Sequence, residues 1–319
     1  MEEHVWAWSR RRFLQGALLV GGVAATGGCG GLGFGDTLER IREAGVVRLG
    51  IAGERPYAYA EDEQLLGATA AVHRAVFQRI GEIDVEGVVS PFGELIEGLN
   101  GGSFDAVAAG MFVTAARCDL VAFSDPVYCA PTGFLVARGN PQGLRNFDSV
   151  AQAGARLVVL GGTVEREYAR AAGVGADRIV PVGSQEDGLD AVADGRADVF
   201  ALTSLSLRSL LEQARQEPPP PGAAQPPAVE QVELVEPFTP VIDGVPQLGC
   251  GAAAFRAPDD DLREAFNREL AALQEEGALL ELLAPYGFTR AELPPPDVTT
   301  EQLCEVGGVT GAELDPLPR

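Results

Sequence analysis

The chain has 319 residues and a formal charge of −22, with 46 acidic side chains against 24 arginines and no lysine. The acidic balance argues against docking on nucleic acid or anionic lipid, and the missing lysine removes a Walker A lysine, a Schiff base and a Ser-Lys pair. Two histidines, His4 and His73, and cysteines that do not cluster leave little for a zinc site or a Ser-His-Asp triad.

At the N-terminus, Ser9-Arg10-Arg11-Arg12-Phe13-Leu14 resembles a twin-arginine export motif. The uncharged run over 13–25 is too short and too glycine-rich for a good membrane span. Thr26-Gly27-Gly28-Cys29 resembles a bacterial lipoprotein cleavage box, with threonine where leucine is usual. We therefore expect a signal peptide over 1–28, lipidation of Cys29 and a flexible tether over 29–35. A free or disulfide-paired Cys29 is the alternative. No strand precedes the glycines of this region, so a nucleotide loop is the poorer reading.

In the mature chain, 36–44 reads as a capped amphipathic helix with Leu38 and Ile41 inward, and 46–51 as a buried strand. The loop over 52–59 lies at that strand's C-terminal end, the usual ligand position in an open α/β sheet, and carries Glu54 and Tyr57. A helix over 69–80, with His73 as a surface or helix-packing residue, and a strand over 85–90 follow. Phe92 then stands at a helix start, and that helix ends near Asn100.

The most informative stretch is FDAVAAGMFVTAAR, from Phe104 to Arg117. A short buried strand leads to Gly110, which permits a turn or a close ligand. Phe112 offers a flat apolar face, and Thr114 caps a short helix that carries Arg117. Arginine suits a carboxylate because its planar fork grips both oxygens. The competing reading is a core Phe112 and a solvated Arg117.

A short strand over 120–123 is followed by a long strand that ends near Arg138. A second α/β unit has strands over 156–160, 179–182 and 198–202, and helices over 186–194 and 204–213. Gly161-Gly162-Thr163 opens a further helix, running through Ala172, whose N–H groups make a second anion site. A stiff proline loop over 218–227, a strand over 232–235, a long strand over 248–255 and helices to Tyr286 complete the order, before a proline-rich tail. Two α/β units joined by two long crossings are expected to close about a ligand by hinge motion. The expected division is 36–138 for the first lobe, 139–246 for the second, and 247–319 returning to the first and ending in the tail.

Taken together, GERPYAY, SPFGELIEGL, DAVAAGMFVTAARCDLVAFSDPVYC, GGTVEREYA, GRADVFALTSLS and EPFTPVIDG resemble a type II periplasmic solute-binding protein of an ABC importer. More narrowly, they resemble its ectoine/hydroxyectoine-binding members, over nearly all of 36–304. The resemblance implies an α/β two-lobed fold, each lobe a mixed sheet flanked by helices. It implies no catalytic residue, no cofactor and no metal. It implies an aromatic cage of Tyr57, Phe92 and Phe112, a carboxylate clamp at Arg117, a second-lobe contact at Thr163 and an acid at Glu54 facing the ring nitrogens. Tyr57 stands where phenylalanine is expected and Phe92 where tyrosine is. Thr203 occupies the position at which amino-acid-binding relatives carry an aspartate for the α-ammonium.

The expected partners are a small zwitterion and a membrane permease, with the protein a monomer outside the cytoplasm and not bound to nucleic acid. The alternatives are a binder of another polar amino acid or derivative, a dehydratase-like enzyme on the same fold with Glu54 as its acid or base, and a sensor module. Among Cys118, Cys129, Cys250 and Cys304, three full pairings are open, and a bridge between Cys118 and Cys129 is the expectation.

Overall fold

The computed structural model describes residues 37–216 and 227–306. The expected signal peptide, the tether with Cys29 and all of the proline loop but Pro227 lie outside these residues. The chain forms two five-stranded sheets of the same design. In the first, Asp84–Val89, Val46–Ile51 and Ala106–Val107 run parallel, then Ala254–Phe255 is antiparallel and Ala122–Phe123 closes the edge. In the second, Ile179–Val182, Leu157–Leu160 and Val199–Thr203 are parallel, Thr132–Ala137 is antiparallel, and Val232–Leu234 forms the edge. The reversed strand of each sheet is the one delivered by a crossing from the other lobe.

Central strands need both faces covered, and their sequences comply. Every residue of Leu157–Leu160 and of Val199–Thr203 is buried. Helices Ala68–Gly81 and Asp260–Glu275 cover one face of the first sheet. His73 lies in this layer, fully buried against Phe266 at 4.9 Å, with Nδ1 2.7 Å from the carbonyl of Thr69. It is thus a packing residue, and burial pushes its pKa down to about 4.

Both long strands expected from the sequence are divided. The outgoing one becomes Tyr128–Cys129 and Thr132–Ala137. Pro131 between them has no N–H for a ladder, and the two halves belong to different sheets. Thr132–Ala137 is thus a strand of the second sheet. The returning strand becomes Cys250–Gly251 and Ala254–Phe255, which pair with different partners. Elements beyond the sequence reading are the hairpin Tyr59–Glu61 with Gln64–Leu66, and the helices Phe147–Ala153, Ala228–Gln231 and Thr300–Val306. The last of these occupies the tail expected to be only proline-rich.

The cysteines pair as Cys118–Cys304 and Cys129–Cys250, not as Cys118–Cys129. The register is the reason. Cys129 and Cys250 lie directly opposite each other between the bonds Val127 N–H to Gly251 O and Ala130 N–H to Gly249 O, the type of site where facing side chains approach most closely. Cys118 is left to the C-terminal helix, where Leu303 is buried beside Cys304. The bridge closes 186 residues of chain, a long loop whose constraint is worth roughly 2–5 kcal/mol. Cys118→Ser with Cys304→Ser is expected to lower the melting temperature by that equivalent and to weaken ligand binding, because Cys118 adjoins Arg117. Calorimetric melts and non-reducing peptide mapping check the effect and the pairing.

Candidate functional site

Loops of the two sheets meet at a common cleft, which holds a small pocket. From the first lobe, Glu54, Phe92, Gly110, Phe112 and Arg117 line it; from the second, Thr163 and Thr203. Val164, Glu165 and Leu202 complete the wall and were not singled out in the sequence.

Arg117 owes its position to local rules. The Thr114 side chain caps the four-residue helix Ala115–Cys118 by accepting the Arg117 N–H at 3.3 Å. The guanidinium then donates from Nη1 to Phe112 O at 2.6 Å and from Nη2 to Gly162 O at 3.0 Å. The second of these bonds crosses the cleft. The guanidinium carbon sits 5.5 Å from the centre of the Phe92 ring, within cation–π range. Both hydrogen bonds go to backbone carbonyls, so the cation is oriented without a hydrogen-bonded carboxylate, while the charge of Glu165 acts on it. The lobes also touch at Gly162, whose φ is +85° and where a Cβ would lie 2.5 Å from Gly93 Cα. This contact demands glycine.

Glu54 sits at the opposite chemical pole. It is 6 % exposed and accepts a 2.7 Å hydrogen bond from Ser206 Oγ. Burial pushes its carboxyl up to about 8, the Ser206 bond opposes this, and the charge of Glu165 adds to it. Ser206 begins a chain that returns to the first lobe: its Oγ is 2.7 Å from Thr203 Oγ1, which is 2.7 Å from the Tyr57 hydroxyl. Each hydroxyl has one proton. With Ser206 donating to Glu54, Thr203 donates to Ser206 and Tyr57 donates to Thr203.

Tyr57 differs from its expected place. It does not line the cavity; it lies in the core behind Gly110, stacked on Tyr128 at 5.1 Å. A Cβ at Gly110 would run into its ring, so this glycine makes room for an aromatic core where the backbone bends at the cavity wall. The cavity's aromatic walls are Phe92 and Phe112. Thr163 reaches the cavity, yet its hydroxyl and its N–H both donate to Leu160 O, at 3.0 and 3.2 Å. Its hydroxyl oxygen can still accept from a ligand and has to rotate only to donate to one. The helix beyond begins only at Glu165.

Glu165 is the main residue that the sequence reading missed. Its side chain is 1 % exposed, and Oε1 has no hydrogen-bond partner. Burial pushes its carboxyl up, while Thr163 and Arg117 pull it down.

Residues 47–289 match the model of the bacterial extracellular solute-binding proteins, family 3. The chain belongs to that family. A curated member, the probable amino-acid ABC transporter periplasmic-binding protein y4tE of Sinorhizobium fredii (strain NBRC 101917 / NGR234), is 33% identical over 273 residues, covering 84% of this chain and 86% of that one. Among solved structures, EhuB in complex with hydroxyectoine is 35% identical at a TM-score of 0.73, over 85% of this chain and 98% of that one. The ancestral amino-acid-binding protein AncCDT-1, a precursor of cyclohexadienyl dehydratase, is 22% identical at a TM-score of 0.65, over 78% of this chain and 99% of that one, and shares the fold. This family-3 binding protein is therefore an extracytoplasmic solute-binding component of an amino-acid-type ABC transporter. Among the described residues, no helix is long and apolar enough to cross a membrane.

Folding raises the Glu54 pKa from 4.5 to about 8. The folded form thus holds a proton that the unfolded chain gives up. That contribution to stability is complete below 4.5 and is lost as pH rises through 8. Relative to the parent, Glu54→Gln is expected to gain melting temperature steadily from pH 5 to pH 8 and to level off above. Ligand-free calorimetric scans across that range check it; a difference independent of pH would place Glu54 in water.

Proposed function

We propose that this protein captures a flat cyclic zwitterion of the ectoine type and delivers it to an ABC importer. The observation that carries the reading is the charge layout of the cavity. Arg117, with no carboxylate hydrogen-bonded to it, the acid Glu54 and the rings of Phe92 and Phe112 line the same cavity. An arginine fork suits a carboxylate. Aromatic faces suit a weakly hydrated delocalised cation through attraction worth about 0.5–2 kcal/mol. The likeness to a hydroxyectoine-bound structure supports the same ligand class. Because Arg117 also reaches Gly162 across the cleft, a carboxylate seated there adds contacts that only the closed form completes.

A second reading, an α-amino acid, is favoured by the y4tE likeness and by the presence of acid in the cavity although Thr203 is not an aspartate. Isothermal calorimetry with ectoine, hydroxyectoine, proline, glycine betaine and the common amino acids separates the two; tightest binding of an α-amino acid would overturn our first choice. Recovery of the ligand unchanged after long incubation is expected for a binding protein, and its conversion would point to the dehydratase-like alternative. Arg117→Ala is expected to weaken binding of the preferred ligand by roughly 30- to 5000-fold, the consequence of leaving a buried anion unpaired. Arg117→Lys should restore only part, because the fork is lost. Equal affinity in parent and Arg117→Ala would put the clamp elsewhere.

We also propose export through the twin-arginine motif and anchoring by lipid at Cys29, on the strength of the leader residues alone. Arg10→Ala with Arg11→Ala should hold the precursor in the cytoplasm. Cys29→Ala should release the mature protein from the membrane fraction. Fractionation and blotting read both, and normal export or continued membrane retention would sink the respective claim.

A further inference from the structure

The proposed ligand accounts for Arg117 and Glu54 but leaves a second acid in the same cavity without a task. Glu165 comes from the second lobe, is 1 % exposed, and lines the cavity with Oε1 lacking any hydrogen-bond partner. A carboxylate oxygen shut away from water without a donor is costly to leave so. Arg117 acts on Glu165 through its charge, but the hydrogen bonds of its terminal nitrogens go to Phe112 O and Gly162 O and none reaches Oε1.

We infer that Glu165 is the second-lobe half of a cation clamp whose first-lobe half is Glu54. Its open oxygen takes one N–H of a ligand whose positive charge is spread over an amidinium or guanidinium group. This rests on the reading that a zwitterion occupies the cavity, and it deepens that reading by naming the cation's chemistry.

Three features select a delocalised cation. The acids come from opposite lobes, and N–H donors that diverge from a planar group meet one acid on each side, whereas a compact ammonium is strongly hydrated and directs all its donors from a single atom. Phe92 and Phe112 are flat faces of the kind a planar cation stacks against. Glu54 already accepts from Ser206, which holds it in orientation, while Glu165 Oε1 awaits a donor. The charged and titratable groups near Glu165 are Arg117 on the first-lobe helix, Glu54 on the loop after the first strand, and Tyr168 on its own helix.

The test is calorimetry with ectoine on the parent and on Glu165→Gln, each at pH 7 in two buffers of different ionisation enthalpy. Glutamine keeps the shape, so an unchanged ligand-free melting temperature verifies the fold. We expect Glu165→Gln to bind roughly 10- to 100-fold more weakly, the range for a lost charged hydrogen bond. The parent should take up no proton that the variant does not, because a carboxylate held by a cation stays ionised. Binding within threefold of the parent overturns the proposal. So does a proton uptake present in the parent and absent in the variant, which means Glu165 is buried protonated and away from the cation. Should the parent not bind ectoine, the ectoine reading fails by itself. Glu165 is then judged by the same two readouts with arginine, the guanidinium member of the amino-acid panel, and no binding of either compound overturns the clamp as well.

Discussion

The rest of this site depends on one side chain held by two backbone carbonyls. Arg117 is gripped by Phe112 O from its own lobe and by Gly162 O from the other. A guanidinium held by neutral acceptors keeps its direction while its hydrogen bonds go to no carboxylate. The surroundings follow from that requirement. Thr114 winds the short helix that brings Arg117 to the cleft, Cys118 ties the same helix to residue 304, and Gly93 and Gly162 let the backbones come close enough for the second carbonyl to reach across.

The polar chain of Tyr57, Thr203, Ser206 and Glu54 is the counterpart on the other side of the cavity. It crosses between lobes at both ends: Tyr57 and Glu54 belong to the first, Thr203 and Ser206 to the second. The Tyr57 hydroxyl therefore bonds to the facing lobe. One side of the cleft closes on a cation and carbonyls, the other on hydroxyls and a carboxylic acid, and the polar identity of each pole is set before any solute arrives.

Much of this was legible in the chain because it follows from neighbours in sequence. The strand Val46–Ile51 reads directly from its apolar run, and the Thr114 cap with Arg117 three residues on is a local pattern. What was not legible depends on partners distant in the chain. The break of the outgoing strand at Pro131 appears only when its halves are seen to join different sheets. The cysteine pairing needed the register of strands 121 residues apart. Glu165 reads in one dimension as an ordinary acid in the first turn of a helix, a favourable place for any carboxylate, and only the facing lobe turns it into a buried group. Tyr57 and Phe112 are both aromatic residues near sheet-end loops, and nothing short of three-dimensional packing tells which of them Gly110 screens from the cavity.

The Cys129–Cys250 bridge has a mechanical consequence. It fastens the outgoing chain to the returning chain immediately on the first-lobe side of Pro131, so the two crossings leave that lobe as a riveted pair. A riveted pair bends readily about one axis and resists sliding past itself. Separation of the lobes is thereby confined to an arc, with residues 130–131 and 235–249 beyond the rivet as the segments left to flex. Sideways slip, which would misalign Arg117 from Gly162 and Tyr57 from Thr203 together, is suppressed at its root. The molecule approaches a device with a single coordinate.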